Sequence, residues 1–491
     1  MAEARCALVR RFLALARRDG ERPALLGADG ELLATRAALA GAIEVQRAAI
    51  APFVRAGSTV VLSLPNGPEF VRAFGALRLL GARVALVDAA APADELSRCA
   101  SAVCADSVLA TADRTPRARI AFHDGFATLA TLAPPSGPAA ALPAATAILK
   151  LTSGSTGAPR ALAVGTRELA ADSVQILATM RIRPADVTLA AIPLTHSYGI
   201  GNCLVPLFLV GLPLAFPTCA LPAALANTLA AARVEHFPAV PAMVRALATL
   251  GGLPELPALR VCLTAGAPLA PDDAAAFHAA TGRKVHVFYG CSECGGITYD
   301  RSARPVHAAG AVGTAMDRVR VEVVDEQLAP LPAGAEGRVL VRSRGVALGT
   351  APAADEESGL APGRFLTGDL GVMDGGGGLS LTGRVAEFLN VAGKKVHPEE
   401  VRRVLEAIPG VHSAVVAGLP DPHRGQLVAA LVAVEAGAVI TVHAVLTACR
   451  ARLAPHKVPR RVVIVDELPV SERGKLRKDA VLALLGGSTQ A

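Results

Sequence analysis

The sequence predicts an α/β protein: a large N-terminal domain of helix-covered sheets that includes a small β-barrel-like subdomain, then a small α+β C-terminal domain. Three observations carry that expectation. Short β-rich runs alternate with Ala/Leu-rich helical stretches through the first 350 residues, the pattern of parallel strands covered by helices. Near Val319–Val341 the pattern changes to short strands between Pro/Gly turns, as in an antiparallel sheet or small barrel. After Gly383-Arg384 a compact tail has its own succession of helices and strands.

The elements follow in order. Thr59–Leu64 reads as a strand, Glu69–Leu80 as a helix and Arg83–Val87 as the next strand. Ala133–Leu142 is a Pro/Gly-rich connector, and Ile148–Leu151 resembles the end of a buried strand. Lys284–Phe288 is strand-like, and Asp374–Gly378 (DGGGG) reads as a hairpin tip. The tail is expected to hold a helix over Glu399–Ile408, strands at Ser413–Ala417 and Val428–Val434, a helix over Thr441–Leu453, a strand at Arg461–Val465 and a basic loop at Ser471–Lys478. A boundary near Ala386 divides the chain into domains at 1–385 and 386–491.

Length and composition exclude several classes. A chain of 491 residues can bury a large core over more than one domain. Mean hydropathy is high at +0.43, and Val187–Ala232 is poor in titratable groups. Pro193, Pro206, Pro213, Pro217 and Pro222 interrupt it before it reaches the roughly 20 apolar residues of a membrane span. Arg10, Arg11, Arg17 and Arg18 break any signal-peptide apolar region, so the expectation is a cytoplasmic protein without integral membrane association. The nine Cys show no regular spacing. Cys291 and Cys294 form a C-x-x-C, but no second pair follows at zinc-finger spacing. The net charge of +7 comes with only 3% aromatics and no Trp, which argues against a nucleic-acid partner and for small anionic ligands. Only seven of the 49 basic residues are Lys, at 150, 284, 394, 395, 457, 475 and 478. Against that bias each Lys merits inspection, because a compact movable ammonium does what a guanidinium cannot.

Leu151–Arg160 (LTSGSTGAPR) narrows the chemistry most. Its Thr, Ser, Gly and Pro content suggests a segment that continues neither helix nor strand. Gly154 and Gly157 free the backbone to turn several N–H groups toward one point. Hydroxyls of Thr152, Ser153, Ser155 and Thr156 add donors, and Arg160 adds a cation. Converging donors suit a polyphosphate; the bland alternative is a flexible linker. The Gly-Lys-Ser/Thr of a Walker loop is missing. In Tyr289-Gly290-Cys291-Ser292-Glu293 a carboxylate after a strand suits Mg2+ and the aromatic suits a base, although a surface Glu is commonly just solvated. Thr367-Gly368-Asp369 reads as preceding a turn, with Asp369 either a ribose ligand or a turn cap. Gly383-Arg384 and Gly393-Lys394-Lys395 flank Asn390 at what reads as a hinge and a tight turn, and Gly474-Lys475 places a Lys in an exposed loop.

The order of these segments resembles the adenylate-forming superfamily of acyl-CoA synthetases, nonribosomal-peptide adenylation domains and firefly luciferase. The resemblance spans essentially the whole chain, including Ile192-Pro-Leu-Thr-His196-Ser-Tyr-Gly199, Thr264-Ala-Gly-Ala-Pro268 and Ala454-Pro-His-Lys-Val-Pro459. It implies that Thr152, Ser153, Gly154, Ser155, Thr156, Gly157 and Arg160 cradle the outer phosphates of ATP. Tyr289 and Gly290 would flank the adenine on one side and Gly266, Ala267 and Pro268 on the other. Ser292 would bond the α-phosphate, Glu293 and Thr152 would hold Mg2+, Asp369 and Arg384 would bind the ribose hydroxyls, and Asn390 would also belong to the nucleotide site. His196, Tyr198, Gly199, Ala265, Cys291, Gly295 and Gly296 would line the acyl pocket, His196 as a gate, with a core histidine as its bland alternative. Lys475 would reach from a mobile C-terminal domain to bridge substrate carboxylate and α-phosphate. Rotation at the hinge residue Ala386 would then open a CoA tunnel by Gly393, Lys394 and Lys395.

Amino-acid-activating relatives place an Asp near 192–200, where this chain has Thr195-His196, so the acid is expected to lack an α-amine and to be fatty or aromatic. CoA is the expected acceptor, favoured by Gly418-Leu-Pro-Asp-Pro-His-Arg-Gly-Gln426; a carrier-protein phosphopantetheine is the alternative, and a non-catalytic nucleotide-binding protein is an alternative of another class. Four positions depart from the family pattern: Arg160 stands for the usual Lys, Ala161 for Gly, Thr264 for Gly or Ser, and Ala386 for a hinge Asp or Lys.

Overall fold

The structure is a computed structural model. It describes residues 6–91, 93–115, 119–132, 142–153, 159–351, 359–385, 389–391, 394–396, 398–421, 425–435, 437–470 and 476–486. The expected hinge position, Ala386, lies outside the described residues.

Two large sheets and one small one make the frame. The eight-stranded sheet has a parallel centre, in which Thr59–Ser63 pairs with Arg83–Leu86 and Ser107–Thr111, and Arg83–Leu86 with Thr146–Ser153. The fourteen-stranded sheet runs parallel through Leu214–Ala215, Thr188–Leu189, His236–Ala239, Val261–Thr264 and Val285–Cys291. It then turns antiparallel at Gly295–Tyr299 and continues through Ala311–Ala315, Gly378–Arg384, Arg364–Met373, Glu336–Arg342 and Arg320–Val324. The antiparallel strands expected near Val319–Val341 therefore extend the parallel sheet edge-on. In the C-terminal part, Leu389–Val391, Lys394–Val396, Val411–Asp421, Gly425–Val434 and Arg461–Val465 form a five-stranded sheet covered by helices Pro398–Glu406 and Val442–Arg452.

Local sequence accounts for the helix boundaries. Pro68 opens the helix Pro68–Leu79 at a position where its missing N–H costs nothing. Thr35 caps the helix Arg36–Ile50, its Oγ1 accepting from Ala38 N at 3.2 Å. Leu39, Ile43, Gln46 and Ile50 of that helix are buried, one stripe at helical spacing. These helices and Ala7–Arg18 enclose a core in which the Phe208 ring lies 5.6 Å from Phe12 and 5.7 Å from Phe74.

His236 is buried at the head of its strand, with Nδ1 3.1 Å from Thr188 Oγ1 and Nε2 without a partner among the described residues. Burial pushes it down to about 3. The unfolded chain takes up a proton near the ordinary value of about 6.5 while the folded chain does not, so stability is full above that pH and falls as pH drops toward 3. Denaturation at stepped pH should show this loss at no more than about 1.4 kcal/mol per pH unit, and the loss should be smaller in His236→Gln. Identical pH slopes in the two proteins would rule His236 out.

Candidate active site

The site forms around the hairpin of Val285–Cys291 and Gly295–Tyr299. Gly290 pairs with Gly296 and Cys291 with Gly295, leaving Ser292, Glu293 and Cys294 as the turn. Gly295 has φ +72°, and a Cβ there would meet the Asp172 carboxylate at 2.2 Å, so the position demands glycine twice over. Beneath the turn lies Lys150, on the strand Thr146–Ser153 of the other large sheet; it is 6% exposed and donates from Nζ to the Ser292 carbonyl at 3.1 Å. Burial lowers the Lys150 pKa, while Asp172 and Glu293 oppose the shift. Ser197 Oγ lies 3.1 Å from Ser292 Oγ. The Glu293 side chain is half-buried and makes no hydrogen bond or ion pair with a described residue.

A second group meets at Asp369. Its Oδ2 accepts from Tyr289 OH at 2.5 Å and its Oδ1 from Arg384 Nε at 2.6 Å. Burial and the adjacent carboxylate push the Tyr289 phenol far above its ordinary range, so it stays a donor. Thr367-Gly368-Asp369 does not precede a turn: it lies inside the strand Arg364–Met373, with Asp369 directly opposite Arg384. The antiparallel pairing places the two side chains on one face, which the local sequence does not reveal.

The Thr/Ser/Gly segment also differs from expectation. The strand Thr146–Ser153 carries on through its first residues, and the partner strand Pro159–Gly165 starts at its end, with Thr152 opposite Arg160. Ladder hydrogen bonds use the backbone, so Thr and Ser at those positions do not stop the strand. Arg160 is exposed. Gly154, Ser155, Thr156 and Gly157, and the side chains of Thr152 and Ser153, lie outside the described residues, as do Gly393, Lys475 and the side chains of Asn390, Lys394 and Lys395.

Beside the hairpin opens a cavity of about 520 Å³. His196, Tyr198, Ala265, Gly266, Gly290, Cys291, Ser292, Gly295 and Gly296 line it, as the resemblance implied. Gly199 is buried but is not among the lining residues; a Cβ there would meet the Pro193 carbonyl at 2.3 Å, so it allows a tight turn behind the wall. Ala267 and Pro268 are exposed beyond the rim. Tyr198 stacks on Phe288, with centroids 5.7 Å apart, and donates its hydroxyl to the Ala239 carbonyl at 3.1 Å. His196 is no core residue: its side chain is 39% exposed, with Nε2 3.4 Å from Asp88 Oδ2. The Cys291 and Cys294 sulfurs are 3.3 Å apart as free thiols. Asp88, Asp172, Asn202 and Ser197 were not singled out by sequence; only the scarcity of Lys pointed toward Lys150.

A model described as AMP-binding enzyme matches residues 46–350, and one described as AMP-binding enzyme C-terminal domain matches 400–475. The chain belongs to the AMP-binding enzyme family. It is thereby a member of the adenylate-forming superfamily and an ATP-dependent acid–thiol ligase of the AMP-forming acyl-CoA synthetase type. A feruloyl-CoA synthase of an Amycolatopsis species is 30% identical over 69% of this chain and 70% of its own. An oxalate–CoA ligase of Saccharomyces cerevisiae is 27% identical over 70% of this chain and 64% of its own. The fold matches that of MatB from Rhodopseudomonas palustris with ATP bound, at a TM-score of 0.81 and 24% identity, covering 96% of this chain and 98% of that one. Among the described residues, no helix is long and apolar enough to cross a membrane.

In this AMP-binding enzyme Lys150 anchors the turn that carries Ser292 and Glu293. Lys150→Met keeps the stem and removes both the buried charge and the bond to Ser292. It should lower the melting temperature, because the buried Asp172 carboxylate loses its counter-charge, and lower kcat/KM in acid-dependent ATP–pyrophosphate exchange, measured where the variant is still folded, by about tenfold. Unchanged kinetics would show that the turn needs no such anchor.

Proposed function

We propose that the enzyme activates a carboxylic acid lacking an α-amine, fatty or aromatic, and transfers the acyl group to CoA. The observation that supports this most is the cavity lined by His196, Tyr198 and Ser292 beside the strand whose Tyr289 is joined to Asp369 and, through it, to Arg384. The acid itself does not follow from the relatives, since feruloyl-CoA synthase and oxalate–CoA ligase have similar identity but act on unlike acids.

In the first step a carboxylate oxygen bonds to the α-phosphorus of ATP, the bond to the bridging oxygen breaks, and pyrophosphate leaves. Two anions must approach, so catalysis is chiefly positioning and charge neutralisation. Asp369, held by Tyr289 and Arg384, would receive the ribose hydroxyls, and Tyr289 would lie along the adenine opposite Gly266, Ala267 and Pro268. Ser292 would bond the α-phosphate, and Thr152 to Gly157 with Arg160 would hold the phosphates that depart. Among the described residues no three His, Cys, Asp or Glu side chains gather to hold a metal. The lone unpartnered Glu293 carboxylate nevertheless fits Mg2+, which binds few protein carboxylates and fills its shell with phosphate and water; there the ion would neutralise phosphate charge. Lys475 would bridge the carboxylate and the α-phosphate. In the second step the CoA sulfur bonds to the acyl carbon, AMP leaves and the thiol proton goes to solvent. Gly393, Lys394 and Lys395 would border the thiol path and Ala386 the pivot.

Incubation with ATP, Mg2+ and fatty, aryl and short acids should release pyrophosphate, and with CoA should yield a thioester. No pyrophosphate from any acid would favour a non-catalytic nucleotide binder, whereas an adenylate transferred only to carrier protein would replace CoA as acceptor. Lys475→Ala should abolish adenylate formation while largely sparing thioester formation from supplied acyl-adenylate. Equal loss in both half-reactions would remove Lys475 from the role.

A further inference from the structure

The cavity wall carries a buried acceptor, Asn202 Oδ1, and a carboxylate oxygen, Asp172 Oδ2, that no described residue satisfies. Asp172, on the helix Thr166–Thr179, is 7% exposed. Its Oδ1 accepts from Gly296 N at 2.9 Å, while no described residue donates to Oδ2. Asn202, in the π-helical turn Ile200–Leu204, is 1% exposed. Its Nδ2 donates to the Tyr198 carbonyl at 3.1 Å, which fixes the amide orientation and leaves Oδ1 without a partner. Both residues line the cavity. They are neighbours, since a Cβ on Gly201 would lie 2.9 Å from Asp172 Oδ2. A buried acceptor left unpaired costs about 1–3 kcal/mol, so Asn202 Oδ1, with the Asp172 carboxylate against the same turn and on the same cavity, points to a donor that the ligand brings.

Depth follows from the hairpin. Ser292 is in its turn, and Gly296, which binds Asp172, pairs with Gly290 two residues below. At about 3.4 Å per residue Gly296, and with it the Asp172 carboxylate, lies roughly 7 Å beneath Ser292. Charge decides the kind of donor. Lys150 already places a buried cation whose field acts on Asp172, so an ammonium would meet like charge in a low-dielectric wall, and a hydroxyl would not.

We propose that the acid is hydroxylated at its far end, roughly 7 Å from the carboxyl group, and that Asp172 and Asn202 select it by accepting that hydroxyl. This rests on the cavity being the acyl pocket. ATP–pyrophosphate exchange on matched pairs tests it: para-hydroxybenzoate against benzoate, para-hydroxycinnamate against cinnamate, ω-hydroxyhexanoate against hexanoate, each with its amino analogue. In the pair whose length fits, the hydroxylated acid should show a kcat/KM about a hundredfold higher than its plain partner. Asn202→Leu should bring that ratio close to one while the plain acid is still turned over, and Asp172→Asn should lower the ratio at whatever plain-acid turnover remains. Asn202→Leu is the informative variant should loss of the Asp172 charge disturb the hairpin. Turnover of plain acids with every ratio near one, a ratio that survives both variants, or preference for the amino analogues would overturn the inference and leave the ligase reading intact. No exchange with any acid would overturn both.

Discussion

The molecule depends on one strand having two kinds of neighbour. Val285–Cys291 pairs in parallel with Val261–Thr264 on one edge and antiparallel with Gly295–Tyr299 on the other. Parallel strands need long crossovers, and their connecting loops gather at one end of the sheet. An antiparallel partner needs only a short turn, so the chain reverses at the edge of the cavity and leaves Ser292 and Glu293 there on a hairpin. The same change of direction brings in the strands that carry Asp369 and Arg384. The group at Asp369 and the turn at Ser292 thus belong to one sheet, although far apart in sequence.

Electrostatics give that wall its character. Lys150 and Asp172 are both nine-tenths buried, and burial shifts each toward its neutral form while each holds the other toward charge. Isolated, either charge would be prohibitive; together, with Ser292 and Gly296 as hydrogen-bond partners, they lock the hairpin from two sides. Polar groups fixed in this way need not reorganise when a charged substrate arrives.

Local signals were read well where they act locally. Arg461–Val465 is a strand over the expected residues, Asp374 closes a hairpin through its bond to Gly378, and Pro68 starts a helix one residue before expectation. The pocket segment around His196 and Tyr198 was legible from motif order. Asp172 and Asn202 were not, because their importance comes from contacts between distant segments: Asp172 and Gly296 are 124 residues apart. An Asp inside an Ala-rich helix looks like any solvated residue until the fold turns it inward. Thr367-Gly368-Asp369 was misplaced for a related reason, since its Gly imitates a turn while the ladder to Gly378–Arg384 holds the segment extended.

The chain's preference for arginine shows where a basic residue is free to change and where it is not. Arg160 is exposed, where water can satisfy any surplus N–H, so the surroundings set no barrier to a guanidinium there. At Lys150 the carbonyl of Ser292 is the one hydrogen-bond acceptor supplied among the described residues. A guanidinium brings five N–H donors in a rigid plane, and most would be stranded in the interior. Whatever mutational drift fills this protein with arginine therefore meets a physical barrier at that one strand position, and Lys150 marks how far drift in composition can go before it reaches the chemistry.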